Sequence, residues 1–339
     1  MQKIKQMQEK LISWYENNGR KNLPWRNLES KFCDERLRKI ERAYGVYISE
    51  IMLQQTSVKV VFEKFYFPFL KKFPTLKSLA LAKEDELLKA WQGLGYYSRA
   101  RNLKKAAQSC VKEFGGVLPS KTKDLQKLSG IGAYTAGAIA CFGYDEKVSF
   151  VDGNIRRVLS RLFALKNPKQ KELENKAEFI LNLKDSYAHN QALIDLGALI
   201  CLPKNPKCGL CPLYDFCKGK FSPQLYPQNK KLIYENLELN LILLQNQNTF
   251  AVKKSEERLY QGLYNFVFFD DKECKKLKFL GEFKHSYTKY KISVKIYHKK
   301  TERKNAAYEY KSLEELENLA LSSLSLKALN FLVKLCFFR

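Results

Sequence analysis

Four of the nine cysteines of this 339-residue chain lie in one short segment, residues 201–217. They are Cys201, Cys208, Cys211 and Cys217, with the spacing C-x6-C-x2-C-x5-C. Clustered thiols can form disulfides, bind zinc or hold another metal group. Structural zinc sites typically use two close cysteine pairs, so this segment with its one C-x-x-C pair leaves zinc possible but not favoured. Persistent disulfides are the least favoured use in a reducing compartment.

A single glutamate interrupts the apolar stretch VYISEIMLQQTSV, residues 46–58. A carboxylate in an apolar helical segment is costly unless it is paired or has a function. A capped or exposed glutamate is an equally good interpretation of the bare sequence. If Glu50 is instead buried in an apolar pocket, its pKa rises and it can act as a general acid near neutral pH.

A second carboxylate follows a glycine-containing segment, LSGIGAYTAGAIA at residues 128–140. Gly130 and Gly132 flank one aliphatic residue, which suits a tight turn between two helices. The N–H groups of such a turn and of the next helix can bind a DNA phosphate, although G-x-G in a helical protein is more often only a turn. Further along, VDGNIRRV places Asp152 directly before a helix that carries two arginines.

The charge balance favours a polyanionic partner. The chain has 60 Lys and Arg residues against 35 acidic residues, a formal net charge of +25. Such a surplus supplies affinity for phosphate backbones, although a lysine-rich, well-solvated surface would give the same balance. No stretch approaches the ~20 apolar residues that span a bilayer, and the N-terminal segment predicts an amphipathic helix rather than a signal peptide. We therefore expect a cytoplasmic, nucleoid-associated protein without a membrane partner.

The type of predicted secondary structure changes near residue 225, which divides the chain into two parts. Apolar residues recur at helical spacing in the first part, and the pattern then changes to strands and two final helices. The predicted helices are 79–91, 100–114, 134–142, 190–201, 312–319 and 324–335, and the predicted strands are 237–244, 263–269 and 290–296. The sequence thus predicts a mostly α domain over residues 1–220, a linker over 221–232 and a smaller α+β domain over 233–339.

The turn, the following helix and Asp152 together resemble the helix-hairpin-helix DNA glycosylases, which remove damaged or mispaired bases. The cysteine spacing is similar to that of the iron–sulfur loop that ends the glycosylase domain in the endonuclease III and MutY branches. The resemblance implies that Cys201, Cys208, Cys211 and Cys217 hold a 4Fe–4S cluster as thiolates.

Three segments resemble the MutY adenine DNA glycosylases: SEIMLQQT at 49–56, WQGLGYYSRARNL at 91–103 and LPWR at 23–26. The endonuclease III branch instead carries a lysine in the hairpin helix, which attacks the sugar and cleaves the strand. Tyr134 occupies that position here, and no lysine lies between Gly130 and Phe142. The sequence therefore predicts a monofunctional glycosylase without a Schiff-base lysine.

The resemblance also implies roles for single residues. Glu50 would protonate the adenine at N7, and Asp152 would stay ionised to stabilise the cationic sugar, a division of labour known from glycoside hydrolysis. Because a stacked adenine is unreachable, the base must first be flipped out of the duplex. Gln55 and Tyr96 would wedge into the duplex, and Arg26 and Gln191 would line the adenine pocket. The remaining expected DNA-binding residues are Thr56, Leu94, Gly130, Gly132, Tyr134, Asn154 and Thr288.

Residues 233–339 resemble, less closely, the Nudix-like C-terminal domain of MutY. They lack the Nudix hydrolase signature, so we predict no pyrophosphatase activity. In the family a His-x-Phe-Ser-His segment of this domain recognises 8-oxoguanine opposite the adenine. The matching stretch here runs from His285 to Lys289, with Thr288 keeping a hydroxyl and Lys289 replacing the second histidine. Two further departures are Ser129, where the hairpin usually has proline, and a longer segment at 27–44.

The sequence as a whole predicts a monomeric adenine DNA glycosylase of base excision repair. Its substrate would be duplex DNA with adenine opposite 8-oxoguanine or guanine, and it would hydrolyse the N-glycosidic bond. One alternative is an endonuclease III-like pyrimidine glycosylase with lyase activity, which Glu50 and Tyr134 disfavour. A second alternative, a non-enzymatic iron–sulfur DNA-binding protein, requires Glu50 and Asp152 to be purely structural.

Overall fold

The computed structural model of the chain describes residues 2–29, 33–228, 233–257, 260–287 and 289–337. The chain divides into two compact units, one of residues 1–81 with 102–230 and one of residues 82–101 with 231–339. Segment 82–101 thus groups with the C-terminal unit, whereas the sequence-based boundary places it in domain 1–220. Among the described helices, none has the length and apolar character needed to cross a bilayer.

The polypeptide up to residue 228 is helical. Short 3-10 turns and one π-helical turn, Val61–Phe65, connect the α-helices. The α-helices are α1 (Gln2–Asn18), α2 (Arg42–Leu53), α3 (Val58–Val60), α4 (Tyr66–Lys72), α5 (Leu76–Leu81), α6 (Glu84–Ala90), α7 (Ser98–Glu113), α8 (Thr122–Leu125), α9 (Ala133–Tyr144), α10 (Gly153–Leu162), α11 (Gln170–Ile180) and α12 (Ser186–Leu199). Three of the four helices predicted for this region are confirmed with shifted ends.

The fourth prediction, one helix over 79–91, is wrong because the structure has two helices there. α5 ends at Leu81, and Lys83 has extended backbone angles before α6 begins. The first turn of α6 is Glu84, Asp85 and Glu86. Negative side chains at a helix N-terminus interact favourably with its dipole, so this acidic run favours a new helix start over a continuous helix.

Helices α2 and α9 form the centre of the first unit. In α2 every residue from Ala43 to Met52 is buried, and α9 is buried from Thr135 to Gly143. A helix that is apolar on all sides needs protein around its whole circumference. The two helices pack closely, since a Cβ on Gly143 would lie 2.9 Å from the Cα of Ala43. Any polar side chain on α2 must therefore find its environment inside the protein.

The second unit contains a six-stranded sheet in the order β4-β5-β1-β3-β2-β6. Strands β1 and β5 are parallel, and the other pairs are antiparallel. The strands are β1 (Glu235–Asn246), β2 (Thr249–Lys254), β3 (Tyr264–Phe269), β4 (Lys278–Tyr287), β5 (Tyr290–Lys300) and β6 (Glu309–Lys311), and the helices are α13 (Asp271–Cys274), α14 (Leu313–Asn318) and α15 (Ser323–Phe337). The three strands and two helices predicted after residue 233 are present, so the α+β prediction is confirmed.

Contacts within the second unit explain why segment 82–101 belongs to it. Lys254 of β2 forms an ion pair of 2.6 Å with Asp85 of α6. The side-chain amide of Gln92 donates to the carbonyl oxygen of Leu321 at 3.2 Å. Such contacts join residues far apart in the chain, and the periodicity of the sequence does not reveal them.

Candidate active site

A cavity of about 610 Å³ lies in the first unit and is lined by residues of α2, α9, α10 and α12. Its volume falls in the range of roughly 300–1,000 Å³ that is usual for small-ligand pockets. Glu50 and Asp152, the two predicted catalytic residues, both line it. Six other predicted site residues also line it: Arg26, Gln55, Thr56, Tyr134, Asn154 and Gln191.

Glu50 lies near the end of the buried helix α2 and is only 7% exposed. Burial raises the pKa of its carboxyl to about 7, and the nearby negative charge of Asp152 acts in the same direction. The hydroxyl of Tyr134 donates a hydrogen bond to Oε2, and this bond and the charge of Arg26 oppose the rise in pKa. Glu50 can therefore hold a proton near neutral pH and deliver it to a group in the cavity.

Asp152 caps the N-terminus of α10. Its Oδ1 accepts a hydrogen bond from the backbone N of Ile155 at 2.6 Å, and its Oδ2 accepts one from Nδ2 of Asn154 at 2.9 Å. Burial raises the pKa of Asp152, whereas these donors and the charge of Arg157 favour its ionised form. The two carboxyl groups of the cavity thus differ: one is a buried carboxyl beside a tyrosine, and the other faces N–H donors at a helix N-terminus.

The sequence reasoning missed two charged residues beside this cavity. Arg20 lines the cavity, and Asp195 of α12 forms ion pairs with both Arg20 and Arg26. Asp195 is fully buried. Like Glu50, Asp195 is an acidic residue inside an apolar helical stretch, and this feature of the sequence could have identified it. Asp195 also lies one helical turn after Gln191.

The hairpin before α9 forms the predicted turn, but only Gly130 has backbone angles that favour glycine, since Gly132 is extended with a φ of −85°. Gly130 has a φ of +78°, and a Cβ there would lie 2.7 Å from the Cβ of Asn102. Gly132 is the N-cap of α9, and a Cβ there would meet no described atom within 4 Å. The N-terminus of α9 is therefore open to a group that approaches from outside, as a phosphate-binding turn requires.

The two predicted wedge residues both have left-handed backbone conformations. The φ of Gln55 is 60° and that of Tyr96 is 47°, values that cost free energy for residues other than glycine. Gln55 follows α2 in the first unit, whereas Tyr96 and the buried Leu94 belong to the second unit. Tyr96 is 39% exposed. Thr288 lies outside the described residues.

The four clustered cysteines come together around one small pocket after α12. Arg161 of α10 donates a hydrogen bond from Nη1 to the Sγ of Cys201 at 3.2 Å. Arg157, one turn earlier, donates from Nε to the carbonyl oxygen of Cys201 at 2.7 Å and from Nη2 to Oδ1 of Asn154 at 2.9 Å. The helix that Asp152 caps is therefore tied directly to the cysteine segment.

Comparisons with known proteins agree with this arrangement. Residues 48–182 match the HhH-GPD superfamily of base excision DNA repair proteins, and residues 201–217 match the iron–sulfur binding domain of endonuclease III. The adenine DNA glycosylase of Buchnera aphidicola subsp. Baizongia pistaciae is 38% identical over 295 residues, which cover 81% of this chain and 80% of that protein. The chain belongs to the adenine DNA glycosylase family.

Other members and solved structures extend the comparison. The adenine DNA glycosylase of Homo sapiens is 39% identical over 216 residues, 62% of this chain and 38% of that protein. A thermostable thymine-DNA glycosylase has a TM-score of 0.57 at 27% identity, covering 65% of this chain and 97% of that chain. An endonuclease III–DNA complex, at 21% identity and a TM-score of 0.54 over 65% of this chain and 96% of that one, shares the fold. The predicted helix-hairpin-helix glycosylase fold is confirmed.

The 4Fe–4S cluster of this family fits the cysteines of the chain. All four are free thiols, and burial together with the other three thiols raises the pKa of Cys211 to about 12. All four line one small pocket, and their segment, residues 201–217, matches the iron–sulfur binding domain of endonuclease III. The iron charge of a bound cluster would offset the repulsion between the four thiolates.

Proposed function

We propose that this member of the adenine DNA glycosylase family excises adenine that is mispaired with 8-oxoguanine or guanine in duplex DNA. It hydrolyses the N-glycosidic bond, leaves the strand intact and works as a monomer at the nucleoid. The observation that carries the proposal is the pair of carboxyl groups, Glu50 and Asp152, in different environments on one cavity. Cleavage of a glycosidic bond needs one carboxylic acid that gives a proton and one carboxylate that stays charged.

The first step needs a proton on the leaving group, because neutral adenine leaves with its bonding electrons only poorly. With its pKa near 7, Glu50 is partly protonated at neutral pH and can donate to a ring nitrogen of a flipped adenine. The C1′–N9 electron pair then moves onto the base, and positive charge develops on the sugar. Glu50 is left as a carboxylate.

The second step needs negative charge beside the sugar. Asp152 supplies it in its ionised form, because the Ile155 and Asn154 donors offset part of the rise in its pKa that burial causes. A water molecule then bonds to C1′ and gives up its proton to the carboxylate of Glu50. The products are free adenine and an abasic site, and Glu50 regains its proton for the next turnover.

The residues of the cavity also support the absence of strand cleavage. None of the described residues that line it is a lysine. Helix α9 likewise lacks lysine and presents Tyr134, whose hydroxyl contacts Glu50. Without an amine to attack C1′, no Schiff base forms and the sugar–phosphate backbone stays intact. This argues against the lyase alternative.

Several neighbouring elements would hold the DNA. The open N-terminus of α9, at Gly130 and Gly132, would bind a backbone phosphate, while Gln55, Thr56, Leu94 and Tyr96 would contact the distorted duplex. Cys201, Cys208, Cys211 and Cys217 would ligate the cluster. The bound cluster would brace the loop that carries Lys204, Lys207, Lys218 and Lys220, and these lysines would contact the DNA backbone.

The second unit would recognise the opposite base. We assign residues 233–339 to a Nudix-like domain in which Thr288 contributes to recognition of 8-oxoguanine. Lys289, the next residue, forms an ion pair of 2.5 Å with Glu235, and both side chains are about half exposed. An exposed ion pair contributes little to stability, so Lys289 can exchange Glu235 for a DNA phosphate at low cost.

The test uses end-labelled duplexes with adenine opposite 8-oxoguanine, guanine or thymine, treated with and without alkali. The wild-type protein should convert the first two to alkali-labile abasic sites and release free adenine. Glu50→Gln keeps the shape of the side chain but cannot donate a proton, so excision should fall at least ~10²-fold while DNA affinity is unchanged. Asp152→Asn should also cripple excision, because it removes the charge that faces the developing cation.

The matched control is Glu63→Gln, which makes the same change at an exposed glutamate outside the cavity. It should excise adenine at the wild-type rate. Parental activity in Glu50→Gln would refute the catalytic assignment. Stoichiometric strand nicking without alkali, or efficient trapping of the enzyme by borohydride, would favour the endonuclease III-like alternative.

A further inference from the structure

A second cavity, with a volume of about 380 Å³, adjoins the active-site cavity and shares Gly153 and Arg156 with it. We call this second cavity the basic cleft. Four cationic side chains line it, Arg156, Arg157, Arg161 and Lys166, and none of the described residues around it is acidic. A concave surface lined by charges of one sign concentrates ligands of the opposite sign, so the basic cleft attracts an anion.

Two of the four cationic side chains are occupied by the protein itself. Arg157 donates a hydrogen bond from Nε to the carbonyl oxygen of Cys201 at 2.7 Å. Arg161 is 4% exposed, and its Nε donates to the carbonyl oxygens of Pro223 and Tyr226 at 3.0 and 3.1 Å. These bonds join α10 to the segments that form the other wall. Arg157 and Arg161 therefore give the cleft its shape.

Arg156 and Lys166 keep donors available for a ligand. Arg156 is half-buried, and its Nη2 donates to the carbonyl oxygen of Pro168 at 3.0 Å. Within the described ranges, neither Nε and Nη1 of Arg156 nor Nζ of the exposed Lys166 has a hydrogen-bond or ion-pair partner. The single bond to Pro168 holds the guanidinium group in place, and its remaining N–H groups suit the oxygens of a phosphate.

The position of the cleft along α10 indicates which phosphate it takes. In the proposed function the sugar of the flipped adenosine lies beside Asp152, the N-cap of this helix. The next residue, Gly153, lines both cavities, and a Cβ there would have open space around it. Arg156 follows one turn after Asp152, and its backbone N donates to the carbonyl oxygen of Asp152. Because a nucleotide's phosphates are attached to its sugar, the DNA backbone must pass close to Gly153 and Arg156 while the base fills the active-site cavity.

We propose that the basic cleft binds a backbone phosphate of the DNA strand that carries the target adenine, next to the flipped nucleotide, through Arg156 and Lys166. The proposal rests on the proposed function, because that function places the sugar beside Asp152. A phosphate contact carries no sequence information, but it sets the register of a protein on the duplex. The contact therefore holds the sugar beside Asp152 whichever bases flank the adenine.

The test identifies the phosphates that the protein binds. The duplexes pair 2′-fluoroadenosine, which resists excision, with 8-oxoguanine, and each carries one neutral methylphosphonate at a chosen position. Fluorescence anisotropy gives the Kd. A methylphosphonate at a phosphate that adjoins the fluoroadenosine should weaken wild-type binding about 10-fold, the usual effect of losing one hydrogen bond to a charged group. Arg156→Gln should bind the unmodified duplex about 10-fold more weakly and should lose little more at that position, because the contact is already absent.

The salt dependence of binding supplies a second measurement. Each phosphate contact of a cationic side chain contributes about 0.9 to the slope of log K against log salt concentration. Lys166→Gln should lower the slope by about that amount. Lys77→Gln is the matched control, since Lys77 is an exposed lysine of α5 that lines neither cavity, and it should leave the slope unchanged. Arg156→Lys keeps the positive charge and should keep the wild-type slope.

Three results would overturn the proposal. The first is wild-type protein whose Kd does not change with a methylphosphonate at either phosphate that adjoins the fluoroadenosine, a result that needs no protein variant. The second is Arg156→Gln protein that loses as much affinity as the wild type at every methylphosphonate position. The third is a protein with both Arg156→Gln and Lys166→Gln that keeps wild-type affinity and salt slope. Wild-type protein that shows the expected phosphate dependence but releases no adenine from an unmodified mispair would instead refute the proposed function.

Discussion

Raising the pH should slow adenine excision, because Glu50 loses the proton that it donates. Its pKa is about 7, against an ordinary value of 4.5. A general acid works only in its protonated form, and with this pKa about nine-tenths of Glu50 is protonated at pH 6 but only about one-hundredth at pH 9. The single-turnover rate should therefore fall about 90-fold between these two values. Without the burial shift, fewer than about one Glu50 in 200 would be protonated at pH 7.

The assay is quench-flow excision from an adenine:8-oxoguanine duplex with enzyme in excess, at constant ionic strength across pH 5–10. Single-turnover conditions remove product release, and the DNA concentration must stay far above the dissociation constant at every pH. At the acid end, the rate should fall as Asp152 becomes protonated and loses the charge that stabilises the sugar cation. A rate that is flat or rises between pH 6 and pH 9 would refute the role of Glu50 as the acid.

The same pKa shift has a consequence for stability. The folded-state pKa of Glu50 lies above its unfolded value, so the folded protein binds the extra proton and is stabilised most at low pH. That stability is lost as the pH rises from 4.5 through about 7, and it amounts to about 3 kcal/mol. Glu50→Gln cannot ionise, so its unfolding temperature should exceed that of the wild type at pH 9 by more than at pH 6. Thermal unfolding of both proteins at the two pH values checks the difference.

Three further predictions concern the rest of the site. Tyr134→Phe removes a hydrogen bond that favours the carboxylate of Glu50, so the alkaline limb of the excision profile should move to higher pH; an unchanged limb would contradict the contact. Gly130→Ala should lower the unfolding temperature, since Gly130 has a φ of +78° and no room for a Cβ, whereas Gly132→Ala should leave it unchanged and weaken DNA binding in a titration. Purified protein should be brown with about four irons per chain, and Cys208→Ser should lower iron content and soluble yield; a colourless protein with one zinc would contradict the cluster.

Much of the molecule follows from local features of the sequence. Helices with long periodic patterns and strands with clear alternation were predictable, because each depends on residues within a few positions of one another. The cap at Asp152 and the turn at Gly130 are local for the same reason. The wrong prediction of one helix over 79–91 also has a local cause. The acidic residues at 84–86 favour the start of a new helix, and the spacing of apolar residues does not reveal this.

Resemblance to a family identified more of the site residues than the local patterns of the sequence did. It nominated Glu50 and Arg26 from short matching segments and Gln191 from the family's site, and all three line one cavity of the structure. The spacing of the four cysteines in the sequence did not by itself exclude zinc as the metal that they bind. Their free thiols around one small pocket, together with the match of residues 201–217 to the iron–sulfur binding domain of endonuclease III, favour the iron–sulfur cluster.

Only the tertiary structure decided the electrostatics of the site. The bond between Tyr134 and Glu50 joins residues 84 positions apart, and the pair of Arg26 with Asp195 joins residues 169 positions apart. A sequence specifies which groups exist, but a pKa depends on burial and on charges within a few ångströms, which folding alone brings together. The sequence therefore determined the fold class and the carboxylates that could do the chemistry. The packing of α2, α9 and α12 determined that burial raises the pKa of Glu50 to about 7 and that Arg26 pairs with Asp195.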